Sequence, residues 1–491
     1  MTFQIFKALH IRSKFPPGPT GLPIIGNLLQ LPTSRPWLIF DKWTKQYGQN
    51  TVVLGTHKAA ADLLDRRSNI YSDRPRFVVL NLLTGGMQWG FGQADNLWKR
   101  QRREAHEALS TQAVKEYFQY QETESIIMLD HILTDPENFT DHFQRASTSL
   151  TLSIVYGWPP VLDSAHPAIQ HINKFSRQLL VAAAPGTFWV EFKYLKWMQY
   201  LPRWMCAWRR DAEDAFRSDS AVFQRMAHDI QKQRDSDVGD KTRSIAGKLL
   251  LEDIGNFYEA VWNCASIYDS QAGAETTSGQ LAWFVQAMIL YPEVQQIAQK
   301  ELDHIVGLDR LPTFDDYENL PYIRATVKEI LRWRGVGPLG VPHRLSQDDY
   351  YQGYFLPKDT ICFVNIWTLH LNKEIYGDDA EHFNPGRFLD TGGKLKSSFA
   401  DTKDEGHYSF GFGKRICVGR NVANNSLFIH IAFLLWAFNI TPEVDENGNP
   451  SLPDSLQCIE GITIRPTPFH CNIIARRADV AEIIVQAKAN I

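Results

Sequence analysis

Between about residues 251 and 291 the chain holds a single apolar stripe. Ile254, Phe257, Tyr258, Val261, Trp262, Ala265 and Tyr268 recur at the 3.6-residue period of one helix face. At 1.5 Å per residue a helix of about 40 residues is about 60 Å long, more than an ordinary globular helix needs. It is apolar on several sides, so it is expected to run through a core rather than over one. A chain that must cover such an element folds as a large, helix-rich body.

The rest of the chain agrees. Helical periodicity dominates from about residue 56 to 335. Residues 95–134, 139–157, 165–183 and 208–234 read as amphipathic helices, with further helix around Trp37–Tyr47 and over 319–334. Short β-like runs fall at Thr51–Leu54, Tyr354–Leu356, Thr360–Val364 and Ile462–Ile464. The Pro/Gly-rich segment Pro16 to Pro23 cannot be helix and forms a stiff lead-in. No repeat or low-complexity linker divides the 491 residues. The expectation is a mainly α fold with small β sheets, one domain over 16–477, preceded by a segment 1–15 and followed by a tail 478–491.

Composition narrows the class. Hydrophobic residues make up 44% and charged residues 22%, which excludes a disordered, collagen-like or coiled-coil chain. Lys and Arg number 51 against 55 Asp and Glu, so no charge excess asks for nucleic acid. Fourteen Trp and 28 Phe suit a large core and an apolar pocket. Cys206, Cys264, Cys362, Cys417, Cys458 and Cys471 form no CxxC pair. That argues against a zinc ribbon or disulfide framework and for a reducing compartment. No apolar run reaches the roughly 20 residues of a spanning helix. Residues 1–15 carry neither a signal-peptide core nor a span, and their apolar side chains reach at most a membrane interface.

The sharpest chemistry lies in FGFGKRICVGR, Phe410 to Arg420. A lone Cys is most often a small buried hydrophobe. Here Gly411, Gly413 and Gly419 allow tight turns and close backbone approach. Lys414 and Arg415 are expected to lower the thiol pKa and poise Cys417 as a thiolate. A helix expected to start just after it aims amides and a positive dipole end at the sulfur. Such a thiolate suits a soft metal centre ligated from one side.

This segment resembles the haem-binding loop of the cytochrome P-450 superfamily, FxxGxRxCxG. The match is Phe410, Gly413, Arg415, Cys417 and Gly419. The resemblance covers about residues 16–475 and implies the single-domain cytochrome P-450 fold, with the long central helix over haem b. It implies Cys417 as axial ligand of the haem iron, whose thiolate favours O–O cleavage. KEILR supplies Glu329 and Arg332, three apart on one helix face. Alone they read as a solvated ion pair; the resemblance adds Arg387 from FNPGRF and makes the three a structural network. Gly386 stands where the family often has Glu, which puts one peripheral contact in doubt.

AGAETT, Ala272 to Thr277, is a poor helix sequence and on its own reads as a tolerated Ser/Thr turn. The resemblance makes Gly273 the opening for dioxygen, Thr276 the hydroxyl that donates a hydrogen bond to it, and Glu275 a proton relay. WKRQR places Trp98 and Arg102 four apart on one face. The resemblance assigns both to a haem propionate, with His343 and Arg415 as further donors. His343 also reads as a surface-turn histidine. Lys99, Arg100 and Arg103 lie on another face, either solvated or meeting an acidic reductase.

Within the superfamily, PPGPTGLPIIGN, SDRP and the Pro466–Cys471 ending resemble fungal secondary-metabolism monooxygenases of the O-methylsterigmatocystin oxidoreductase type. The implied activity is insertion of one atom of dioxygen into an apolar organic substrate. Electrons come from a separate NADPH-cytochrome reductase, because the chain has no GxGxxG-headed βαβ unit. The alternatives are a peroxide-using or rearranging haem-thiolate enzyme and a haem-binding protein without turnover. The Glu275–Thr276 pair argues against the first. A monomer on the cytosolic face of the endoplasmic reticulum membrane is implied. Two departures stand out: no spanning helix at the start, and room for only one strand after Gly48 where the family has a hairpin. By family position, substrate contacts fall in Phe77–Phe91, Leu179–Trp189, Ser266–Ala272, Gly337–Val341 and Gly461–Ile462.

Overall fold

The computed structural model describes residues 35–39, 52–184, 187–191, 193–235, 244–251, 257–271, 274–399, 401–445 and 447–491. The longer helices are α1 (Asn96–Ala108), α2 (Phe118–Thr134), α3 (Phe139–Tyr156), α4 (Pro167–Ala183), α5 (Ala207–Asp235) and α6 (Phe257–Gln271). They continue as α7 (Ala274–Leu290), α8 (Pro292–Ile305), α9 (Pro321–Trp333), α10 (Arg420–Ala437) and α11 (Val480–Ala489). Local sequence sets their starts. Asp95 caps α1 by accepting the Trp98 amide at 2.9 Å. Proline opens α4, α8 and α9 at the first helical turn, where its missing N–H costs nothing.

The expected central helix is α6 followed by α7; residues 252–256 and 272–273 lie outside the described residues. Its apolar character is as read. Trp262, Ala265 and Tyr268 are buried on α6, and Leu281 through Ile289 are buried on every side of α7. Around α7 pack α3, α8, α9 and α10, joined in one core by Trp283, Trp333 and Trp436. A second core joins α1, α4, α5 and α6 with the segment 77–83.

Four small sheets complete the fold. Strands β1 (Val52–Leu54), β5 (Ile361–Val364) and β2 (His343–Arg344) form a sheet in the order β1-β5-β2, with β1 parallel to β5 and Val52 opposite Cys362. Hairpin strands β3 (Asp349–Tyr351) and β4 (Tyr354–Leu356) pair antiparallel. So do β6 (Phe438–Pro442) with β9 (Cys471–Ala475), and β7 (Cys458–Ile459) with β8 (Arg465–Pro466). The hairpin strand expected to be missing after Gly48 falls at 40–51, outside the described residues.

Three expectations change. The helix read over 95–134 is two helices. Ser110 accepts the Ala113 amide at 3.3 Å and starts a separate turn, Ala113–Tyr117, between them. The strand read at 462–464 lies one step later, at β8; Ile462 lines a cavity instead. The segment read as a tail carries α11, whose Val480 and Ile484 are fully buried against the main core, with Lys488 bonded to Asp130.

Candidate active site

Arg102, His343, the Glu275–Thr276 turn and the Cys417 loop converge on one cavity of about 1570 Å³, counted with its mouth. Cys417, Phe410 and Arg415 line it from the loop before α10. Glu275 and Thr276 line it from the first turn of α7, and Tyr268 from α6. Ile172, Ser176, Leu179 and Leu180 contribute from α4.

The Cys417 loop is built on its glycines. Gly413 has φ +57°, and a Cβ there would come within 2.0 Å of the Leu64 carbonyl oxygen. Its amide donates to Asp65 Oδ1 at 2.6 Å. Gly411 also takes a left-handed φ, +75°. Gly419 does not, at φ −81°; it caps α10, and its amide donates to the Cys417 sulfur. The Cys417 amide donates to the Phe410 carbonyl at 2.8 Å.

The expected electrostatics of this cysteine do not hold. Burial pushes the Cys417 thiol up, and the cations that oppose it are Arg102 and Arg420. Lys414 bonds to Asn69. Arg415 turns away to the carbonyls of Ser72, Trp89 and Gly92 at 2.7, 3.0 and 2.8 Å. A soft metal bound at this sulfur would displace its proton.

At one end of the cavity four basic side chains gather. Arg415 lies 4.2 Å over the Trp98 ring. Arg102 packs over Trp89 at 5.5 Å and donates to the Ile416 carbonyl. Arg74, which sequence reading missed, donates to the carbonyls of Gly90, Val341 and Pro342 at 3.1, 2.7 and 2.9 Å. Only its place in SDRP, before a proline that keeps the chain extended, marked it. His343 is buried rather than in a surface turn, and its Nδ1–H donates to the Tyr71 carbonyl at 2.7 Å. Burial and then mutual repulsion push the pKa of Arg74 well down; burial and then Arg102 bring Arg415 to about 9. Burial and these arginines hold His343 well below its usual range. No carboxylate hydrogen-bonds to Arg74, Arg102 or Arg415 among the described residues. The indole N–H groups of Trp89 and Trp98 are buried without partners.

Glu275, on the same lining, is half-buried. Its Oε1 accepts from Gln144 at 3.4 Å, and its Oε2 lies 3.8 Å from the exposed Arg465. Ala272 and Gly273 lie outside the described residues. Glu329, Arg332 and Arg387 are brought together behind the Cys417 loop. All three are buried, not solvated, and Glu329 Oε1 takes 2.8 and 3.0 Å bonds from the two arginines. Gly386, where a family Glu is absent, donates its amide to Asn384 at 3.0 Å. Of the three outer cations of α1, Arg100 is paired with Glu259 at 2.9 Å, while Lys99 and Arg103 stay exposed.

The family described as Cytochrome P450 matches residues 16–472 of this sequence. The chain belongs to the cytochrome P450 family. Its relatives include fungal monooxygenases. A cytochrome P450 monooxygenase of Armillaria gallica is 46% identical over 488 residues, covering 96% of this chain and 92% of that one. Cytochrome P450 monooxygenase 58 of Postia placenta is 40% identical, covering 98% and 92%. Cytochrome P450 monooxygenase iboC of Amanita muscaria is 38% identical, covering 97% and 93%. This cytochrome P450 is an oxidoreductase whose cofactor is haem b.

The residues present fit that cofactor. A flat apolar group with two carboxylates and a metal answers what the cavity leaves open, uncompensated guanidinium groups and two orphaned indole donors, beside the Cys417 sulfur that lines it. A propionate at His343 would also favour the protonated ring, because Nε2 can donate only in that state. No described helix is long and apolar enough to cross a membrane.

Proposed function

We propose that this cytochrome P450 inserts one oxygen atom into a medium-sized apolar molecule of fungal secondary metabolism. Two electrons come from a separate NADPH-dependent flavoprotein reductase at the cytosolic face of the endoplasmic reticulum. One atom of dioxygen enters the product; the other leaves as water with two protons. The observation that carries this reading is the pairing, across one cavity, of the Cys417 sulfur with the Glu275–Thr276 acid and alcohol.

When bound, thiolate-ligated haem supplies the activation and cleavage of dioxygen. The chain supplies the rest. Trp98, Arg102 and Arg415, with Arg74 and His343, hold and orient the propionates by charge-assisted hydrogen bonds. Thr276, which lines the cavity, would offer its hydroxyl as a hydrogen-bond donor to dioxygen there. Glu275 sits between Thr276 and the solvent-exposed Arg465, so a proton can pass inward from solvent through one carboxylate. Phe91, Leu179, Leu180, Val336, Leu339 and Ile462 give the remaining wall an apolar surface.

The test uses purified holoprotein with a fungal reductase and NADPH. Apolar terpenoid and polyketide compounds are screened first by the spin-state shift of the Soret band, and binders are then turned over. Product carrying one oxygen atom from labelled dioxygen supports the reading. Product without that label, or formed only with added peroxide, contradicts it.

A further inference from the structure

Helix α1 is gripped on the side away from Trp98 and Arg102. Trp98 and Arg102 share one face; Arg100 and Glu104, offset by about 200° of helix rotation, share another. That second face meets α6 in two rungs one turn apart. Arg100 Nη2 donates to Glu259 Oε2 at 2.9 Å, and Asn263 Nδ2 donates to Glu104 Oε2 at 2.6 Å. The inner rung is the buried one. Asn263 is fully buried, its Oδ1 has no partner, and burial pushes the Glu104 carboxyl up against the pull of Asn263.

The same two helices also hold one loop atom. The Met87 carbonyl accepts from Gln101 of α1 at 3.4 Å and from Ser266 of α6 at 3.1 Å. The loop that follows presents the Trp89, Gly90 and Gly92 carbonyls to Arg415 and Arg74. So α1, α6 and this loop form one frame, and the frame aims the cationic end of the cavity.

We infer that Glu104 and Asn263 are positioning residues for the haem. Their buried rung fixes the register of α1 on α6 and so sets where Trp98 and Arg102 meet the propionates. This rests on the propionate role given to Trp98 and Arg102 above. Neither residue touches the cavity itself, and neither belongs to a recognisable sequence pattern.

The experiment follows haem transfer from holoprotein to excess apomyoglobin. Wild type is compared with Glu104→Ala, Asn263→Ala, Glu104→Gln, Arg100→Ala and Arg102→Ala, with thermal midpoints measured alongside. Partners that orient ligands typically cost 10–100-fold when removed. Glu104→Ala and Asn263→Ala should therefore speed haem loss by about tenfold or more. Glu104→Gln keeps an acceptor and should stay near wild type. Arg100→Ala, an exposed pair, should change little. The two alanine variants report the same rung, so misfolding of one leaves the other to decide. Fast loss in Arg102→Ala with wild-type loss in the rung variants overturns this inference alone. Wild-type loss in Arg102→Ala overturns the propionate reading beneath it. A rise in haem loss matched by an equal fall in thermal midpoint for Glu104→Gln reduces the rung to general stability and also overturns the inference.

Discussion

Glu329 and Arg332, one turn apart on α9, are joined by two parallel hydrogen bonds, Nε to Oε2 at 2.7 Å and Nη2 to Oε1 at 2.8 Å. Neither side chain is exposed at all. Arg387 closes on the same carboxylate at 3.0 Å, and the Asn384 amide adds a bond of 2.7 Å. The arginines continue to the carbonyls of His370, Ala380 and His382, so one carboxylate ties α9 to the chain leading into the Cys417 loop.

Removing that carboxylate leaves the buried Arg332 without a carboxylate partner and Arg387 with Asp379 alone, at 3.0 Å. Glu329→Ala should cost on the order of 3–5 kcal/mol and yield haem-free or aggregated protein. Glu329→Gln keeps one acceptor oxygen and should be less damaged. Haem content per protein and the thermal midpoint measure both; soluble Glu329→Ala holoprotein at normal yield contradicts the network's role.

Thr276 lines the cavity without touching that network. Thr276→Ala should fold and bind haem normally while more NADPH ends as hydrogen peroxide per product formed. Thr276→Ser restores the hydroxyl and should restore coupling. Stoichiometry of NADPH, peroxide and product is the readout, and unchanged coupling in the alanine variant makes Thr276 an ordinary helix residue.

Buried histidines set an acid limit. Burial lowers His57 to about 4 and His430 to about 3. Unfolded imidazoles titrate near 6.5. Between those values the unfolded chain binds more protons than the folded one, so stability rises with pH. It should be complete above about pH 6.5 and fall by several kcal/mol toward pH 4. Urea midpoints across that range measure the slope, and His430→Gln should flatten it. A midpoint independent of pH between 4 and 6.5 contradicts the assignment.

Gly413 allows no side chain. Its left-handed backbone costs a non-glycine residue about 1–3 kcal/mol, and a Cβ would strike the Leu64 carbonyl. Gly413→Ala should lose haem faster than Gly411→Ala, whose Cβ meets nothing within 4 Å. Equal haem retention in the two variants contradicts the packing argument.

The cysteine loop and the Glu329–Arg332 pair were legible because they are local: fixed spacing carries the geometry. The same locality misled on Cys417. Lys414 and Arg415 are its neighbours in sequence, but the turn Gly413–Arg415 swings both away, and the cations near the sulfur come from Arg102 and Arg420. The Glu104–Asn263 rung joins residues 159 apart, and no periodicity signals such a pair. Arg74 was hidden likewise, since its carbonyl partners at Val341 and Pro342 lie 267 and 268 residues away in sequence. Helix α11 looked like a tail because ten residues with two buried contacts carry little pattern.

The central claim is that the Cys417 sulfur ligates the haem iron, and the most direct measurement is the spectrum of reduced protein under carbon monoxide. Wild type should show the red-shifted Soret band of thiolate ligation. Cys417→Ala should lack it, while Cys362→Ala and Cys264→Ala, at buried thiols that do not line the cavity, should keep it. The band persisting in Cys417→Ala would contradict the account.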